Sequence, residues 1–173
     1  MYFMVNKSVK YDRVNLFPNF SVLNLINNKI DSLCTNNNVK KIKSINGKEF
    51  IFTSKNNKYK VIPYDTIIRK LFNDDFFVRT WSRPTLTPSL KGKYFIKNIL
   101  EIKFENYKIG INKDYSKWAI SNKKNIICVG DLNHSESQKE RGGNIVCVEN
   151  KNLHEIIKNQ LFHQNKKFYF IYV

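Results

Sequence analysis

The residues best suited to chemistry lie between Asp114 and Cys147, in three runs: D-Y-S-K-W-A, N-I-I-C-V-G-D-L-N and S-Q-K-E-R-G-G-N-I-V-C. Lys117 brings an ammonium, Asn133 a side-chain amide and Arg141 a guanidinium, all hydrogen-bond donors. On a strand, residues two apart point to the same face, so Tyr115 and Lys117 would share one. A phenol can attack phosphorus, yet an ordinary phenol ionises only near pH ~10 and is neutral in acid. Of the three histidines, His134 reads as an exposed, inert loop residue, with a stand-in imidazole as the alternative. His154 and His163 read as structural or surface residues. None of them has metal-ligand spacing with a cysteine or carboxylate, so no metal and no cofactor are expected.

The three runs resemble the second catalytic segment of the deoxyribonuclease II family, whose members carry D-H-S-K-W, then C-(I/V)-G-D-x-N-R, then R-G-G-G-T-x-C. The matching positions are Asp114, Ser116, Lys117, Trp118, Cys128, Gly130, Asp131, Asn133, Arg141, Gly142, Gly143 and Cys147. The run W-S-R-P-T-L from Trp81 to Leu86 and the K-N-L-H helix from Lys151 also look like the family. The resemblance covers most of the chain but only the carboxy-terminal half of a full-length member, one phospholipase-D-like half. It implies metal-independent hydrolysis of DNA phosphodiester bonds. A histidine attacks phosphorus to form a phosphohistidine. The lysine neutralises the developing negative charge, and an asparagine donates to the same oxygens. The site forms between two halves, one histidine acting as nucleophile and the other as general acid.

Carried onto this chain, the catalytic positions are Tyr115, Lys117 and Asn133, and the phosphate-binding positions are Lys117, Asn133 and Arg141. Tyr115 stands where the family has its nucleophilic histidine, so the chain is expected to be inactive alone. Two further departures are His134, where the family has Arg, and Asn144, where it has a third Gly. Asn tolerates left-handed backbone better than most residues, so the turn is expected to survive. Cys128 and Cys147 match a family disulfide pair, against the alternative of two buried thiols on neighbouring strands. Such a bridge closes about twenty residues and is worth roughly 3 kcal/mol on the loop-entropy account.

The elements that must position these residues read as short strands mixed with amphipathic helices. Strands are expected at Tyr2–Val5, Phe76–Trp81, Phe95–Phe104, Tyr107–Ile111, Lys117–Ser121, Asn125–Val129, Ile145–Val148 and Phe168–Val173. Lys40–Ile45 and Glu49–Thr53, split by Asn46-Gly47, read as a hairpin with a type I′ turn. A helix is expected from Phe20 to Ile30. A second is capped by Asp65 and runs through Ile67, Ile68 and Leu71. A third spans Leu153–Phe162 with Ile156, Ile157 and Leu161 inward. Ser82-Arg83-Pro84 breaks into a loop. The fold class is therefore α/β: a mixed β-sheet flanked by helices, in a single domain over residues 1–173.

The composition sets outer bounds. The chain has 173 residues, 42% hydrophobic and 14% aromatic, enough to bury a core rather than stay disordered. A net charge of +16 favours polyanions, DNA above all, through phosphate contacts and counterion release. The abundance of Lys, Asn, Ile, Tyr and Phe is also what A/T-rich codons produce without any selection for binding. No apolar run nears the ~20 residues of a membrane span, so no membrane is expected. The start, MYFMVNKSVKYDR, is too short in apolar residues for a secretory signal. A disulfide nonetheless implies an oxidising, secreted or lysosome-like route, and Cys34 reads as a free, partly buried thiol. Three readings follow: a half-enzyme needing a second chain or a homodimer, a non-catalytic DNA- or polyanion-binding pseudonuclease, and a decaying gene product.

Overall fold

A computed structural model describes residues 38–81, 87, 92–104 and 107–162. Every described residue lies within one unit of the chain, Asn36–Val173. The expected strands at Tyr2–Val5 and Phe168–Val173, the helix from Phe20 to Ile30, the Ser82-Arg83-Pro84 break, Cys34 and His163 lie outside the described residues.

Seven strands form one sheet in the order β1-β2-β9-β8-β7-β3-β4. They are β1 (Asn38–Lys43), β2 (Glu49–Lys55), β3 (Phe76–Thr80), β4 (Ile96–Asn98), β7 (Lys117–Ser121), β8 (Ile126–Gly130) and β9 (Gly143–Glu149). The β3–β4 pair is parallel and the other neighbours are antiparallel, which makes the sheet mixed. A separate antiparallel pair joins β5 (Glu101–Phe104) to β6 (Tyr107–Gly110). Helical segments are a π-helical turn Tyr64–Ile68 running into α1 (Arg69–Phe72), two 3-10 turns at Ile111–Lys113 and Glu136–Glu140, and α2 (Lys151–Phe162).

Strand alternation sorts the core onto the two faces of the sheet. Phe76, Val78, Ala119, Cys128, Ile145 and Cys147 pack with Tyr64, Ile68 and Phe72 on one side. Phe77, Ile120 and Ile127 pack with Trp118, Ile157 and Leu161 on the other. All five residues of β3 are buried, so it is a central strand with both faces covered.

Four local expectations are corrected. The β1–β2 hairpin forms, but Gly47 (φ +76°) and not Asn46 is left-handed, and the Gly47 N–H donates to the Ser44 carbonyl at 2.9 Å. A type I′ turn needs both central residues left-handed, so this is a three-residue loop closed by a glycine. The stretch Phe95–Phe104 is two strands, β4 and β5, in different sheets. Asp65 caps nothing: Pro63 holds the cap position, and the Asp65 carboxylate turns instead to His134. In α2, Ile157 and Leu161 face inward, but Ile156 is 60% exposed.

Candidate functional site

The antiparallel register gathers the candidate residues at one end of the sheet. Trp118 pairs with Val129 and Gly130 with Ile145, so the start of β7, the end of β8 and the start of β9 lie side by side. Lys117 begins β7, Asn133 follows β8, and Arg141 precedes β9. Thr80, at the end of β3, is the register partner of Lys117. Sequence-distant groups thus converge because strand ends converge.

Tyr115 is not part of the strand that Lys117 begins. It precedes β7, is 68% exposed, and stacks on Trp81 with ring centroids 5.3 Å apart and planes 15° from parallel. The Lys117 ammonium folds back and donates to the Tyr115 carbonyl at 2.8 Å. Tyr115 lies outside β7, which begins two residues later at Lys117, so strand alternation does not place this pair.

Asp114, just upstream, is fixed from both sides. Its Oδ1 accepts the Ser116 N–H at 2.9 Å and its Oδ2 accepts Arg79 Nε at 2.6 Å. Burial pushes this carboxyl up, but the hydrogen bonds from Ser116 and Arg79 outweigh it and hold the group below the usual carboxylate range. Arg79 itself is fully buried in β3, and its two Nη groups donate to the carbonyls of Ile99 (3.2 Å) and Ile109 (2.9 Å). Sequence reasoning assigned Arg79 no role. The available signal was one charge in an otherwise apolar strand, F-F-V-R-T.

The loop after β8 is held at nearly every residue. Asp131 exchanges hydrogen bonds with Asn144, its carboxylate accepting the Asn144 N–H at 2.8 Å. The Tyr64 hydroxyl donates to the Leu132 carbonyl at 3.1 Å. Burial, and then the nearby Asp131 charge, push the Tyr64 hydroxyl far above the ordinary phenol range, so it remains a donor. Buried Lys55 donates to the Lys139 carbonyl at 2.9 Å and fastens the 3-10 turn that follows. Burial, and then the positive charge of Lys60, lower the Lys55 ammonium. Asn133 is half-buried within this frame, and its side-chain Oδ1 is buried without a hydrogen-bond partner. Arg141 is exposed at the far end of the loop.

His134 corrects the expectation of an exposed, inert loop residue. It is fully buried, with Nδ1 2.7 Å from Asn98 Oδ1 and Nε2 2.8 Å from Asp65 Oδ1. The reason lies outside the local sequence, since its partners come from the π-helical turn and from β4. His154 is structural, buried with Nε2 2.6 Å from the Ser121 carbonyl. Asn144 needs no left-handed backbone, because it already belongs to β9 and pairs with Ser54. The glycine that matters is Gly143: a Cβ there would meet Leu132 Cγ at 2.5 Å and would also overlap Asp131 Oδ1. Gly143→Ala is expected to cost about 1–3 kcal/mol by overpacking, read as a shift in the urea midpoint. An unchanged midpoint would mean the loop gives way without strain.

Cys128 and Cys147 are register partners in β8 and β9 and form a disulfide across 19 positions of sequence. It closes the ends of the segment that bears Asn133 and Arg141.

A family profile described as Deoxyribonuclease II matches residues 2–167. Among curated relatives, the chain is 27% identical over 122 residues to Cell-death-related nuclease 7 of Caenorhabditis elegans, covering 68% of this chain and 33% of that protein. It is 28% identical over 119 residues to Plancitoxin-1 of Acanthaster planci, covering 66% and 33%. It is 27% identical over 120 residues to human Deoxyribonuclease-2-beta, again covering 66% and 33%. The chain thus spans about a third of the length of these relatives.

Proposed function

This chain belongs to the deoxyribonuclease II family, and on that premise we propose that it is a DNA-gripping half-site that does not cut by itself. Lys117, Asn133 and Arg141 supply the phosphate contacts. Metal-independent phosphodiester hydrolysis, the activity the family resemblance implies, requires the other half-site from a second chain or a second copy. The observation that carries this reading is Tyr115, turned out of β7 onto Trp81, with Lys117 folded against its carbonyl. This stacked, exposed phenol lies before the strand that Lys117 begins, not within it. The charge of +16 favours the companion reading, a non-catalytic DNA or polyanion binder, in which no partner is needed. The disulfide supports an oxidising, secreted or lysosome-like setting. No described helix is long and apolar enough to cross a membrane.

The test is fluorescence anisotropy with a short labelled DNA duplex across salt concentration. Affinity should fall linearly on a log–log plot, and Lys117→Ala should lower the slope by about one. A flat salt response would remove phosphate binding from the account.

A further inference from the structure

His134 is a buried group whose chemistry the proposed function leaves unused, and polar partners face both of its ring nitrogens. The Asn98 amide donates from Nδ2 to the Thr87 carbonyl at 2.8 Å, and a carbonyl can only accept. Asn98 Oδ1 therefore faces His134 Nδ1 at 2.7 Å, and that nitrogen must carry a hydrogen. The other nitrogen, Nε2, lies 2.8 Å from the Asp65 carboxyl. A proton on that axis, written on either group, gives the pair one proton more than a neutral imidazole beside a carboxylate. Without it, the Nε2 lone pair would point at a carboxylate oxygen inside a buried site.

The backbone of the same residue is also clamped. The His134 N–H donates to Thr80 Oγ1 at 2.9 Å, and its carbonyl accepts the Thr87 N–H at 3.0 Å. Thr80 is the register partner of Lys117. The groups facing the ring are Asp65 and the edge of the Tyr64 ring from the helical turn, and Asn98 from β4. Of these Asp65 is the acidic group, and burial keeps the Tyr64 phenol protonated.

We propose that His134 is a positioning residue, an acid-closed clamp between Asp65 and Asn98 that holds the Asn133 loop against the end of β3 beside Lys117. The inference rests on the DNA-gripping reading for its purpose, though not for its geometry. In acid the ring donates from both nitrogens and the loop is pinned. When that extra proton is removed, the Nε2–Asp65 hydrogen bond becomes a repulsion and the loop loosens.

The experiment uses the full chain, 15N-labelled, from pH 5 to pH 8. It records the His134 ring nitrogens by NMR and hydrogen-exchange protection factors for residues 131–138. In parallel, affinity for a short DNA duplex is measured by anisotropy. The ring should show two N–H nitrogens at pH 5, and loop protection should drop at least tenfold by pH 8 while β7 and β8 stay protected. His134→Arg, which keeps a permanent charge, should hold the loop at pH 8, and Asp65→Asn should flatten the pH profile. A single N–H nitrogen at pH 5, or loop protection unchanged across the range, would overturn the clamp. If the loop tightens in acid while no DNA binds at any pH, the clamp stands and the DNA-gripping reading fails.

Discussion

Arg79→Met should cost about 3–5 kcal/mol of folding stability, because it breaks a buried ion pair and leaves one partner behind. Arg79 is fully buried, and its three hydrogen bonds tie β3 to the Asp114 carboxylate and to the carbonyls of Ile99 and Ile109. Those partners belong to the β4–β5 connection, to β6 and to the turn before β7, so one side chain fastens the small sheet and the site's entry turn to the main sheet. Methionine fills much of the volume but satisfies none of the acceptors, and the two orphaned carbonyls are part of that cost. The double variant Arg79→Met/Asp114→Asn should recover part of the loss, since the stranded charge goes with its partner. The pH response has a definite sign. The Asp114 carboxyl is held below its ordinary range in the folded chain, so its contribution is present above the unfolded value. It is lost as pH falls through the lowered native one. Urea titrations measure all of this. A cost below about 1 kcal/mol for Arg79→Met would show that the buried network does not hold the sheets together.

The second large effect is the disulfide. Replacing both Cys128 and Cys147 by Ala should cost about 3 kcal/mol and lower Tm by roughly 6–12 °C for a chain of this size. Two causes add: the open chain regains the entropy of a loop of 19 positions, and two fully buried sulfurs leave the core between β8 and β9. The loss should fall first on the segment from Asp131 to Gly143, whose ends the bridge holds. Reduction by thiol without denaturant is expected to be slow, since both cysteines are buried. An unchanged Tm in the double-alanine variant would mean that pairing of β8 with β9 alone fixes that segment.

Sequence periodicity disclosed the class of fold and most of its strands, because β3, β7, β8 and β9 are short apolar runs bounded by polar breaks. It failed where a tertiary partner overrode local chemistry. Asp65 has the composition of a cap, yet its carboxylate is claimed by His134, 69 positions away. The run Phe95–Phe104 reads as one strand, yet the Ile99 carbonyl serves Arg79 and the chain changes sheets there. At the site, the motif singled out Lys117, Asn133 and Arg141, which the strand ends place at one end of the sheet, and two cysteines that pair within β8 and β9. It did not reveal that β7 begins too late to present Tyr115, nor that a histidine replacing arginine would be buried and bound at both nitrogens. Both facts depend on register and packing, which a single sequence does not encode locally.

In the proposed half-site, Tyr115 does not replace the nucleophile. The direct measurement is plasmid nicking at acid pH with chelator present, comparing the native chain, Lys117→Ala and Tyr115→His. Neither the native chain nor Lys117→Ala should nick, whether or not Tyr115→His gains activity. Nicking by the native chain that Lys117→Ala abolishes would contradict this, and would place a working nucleophile in this half-site.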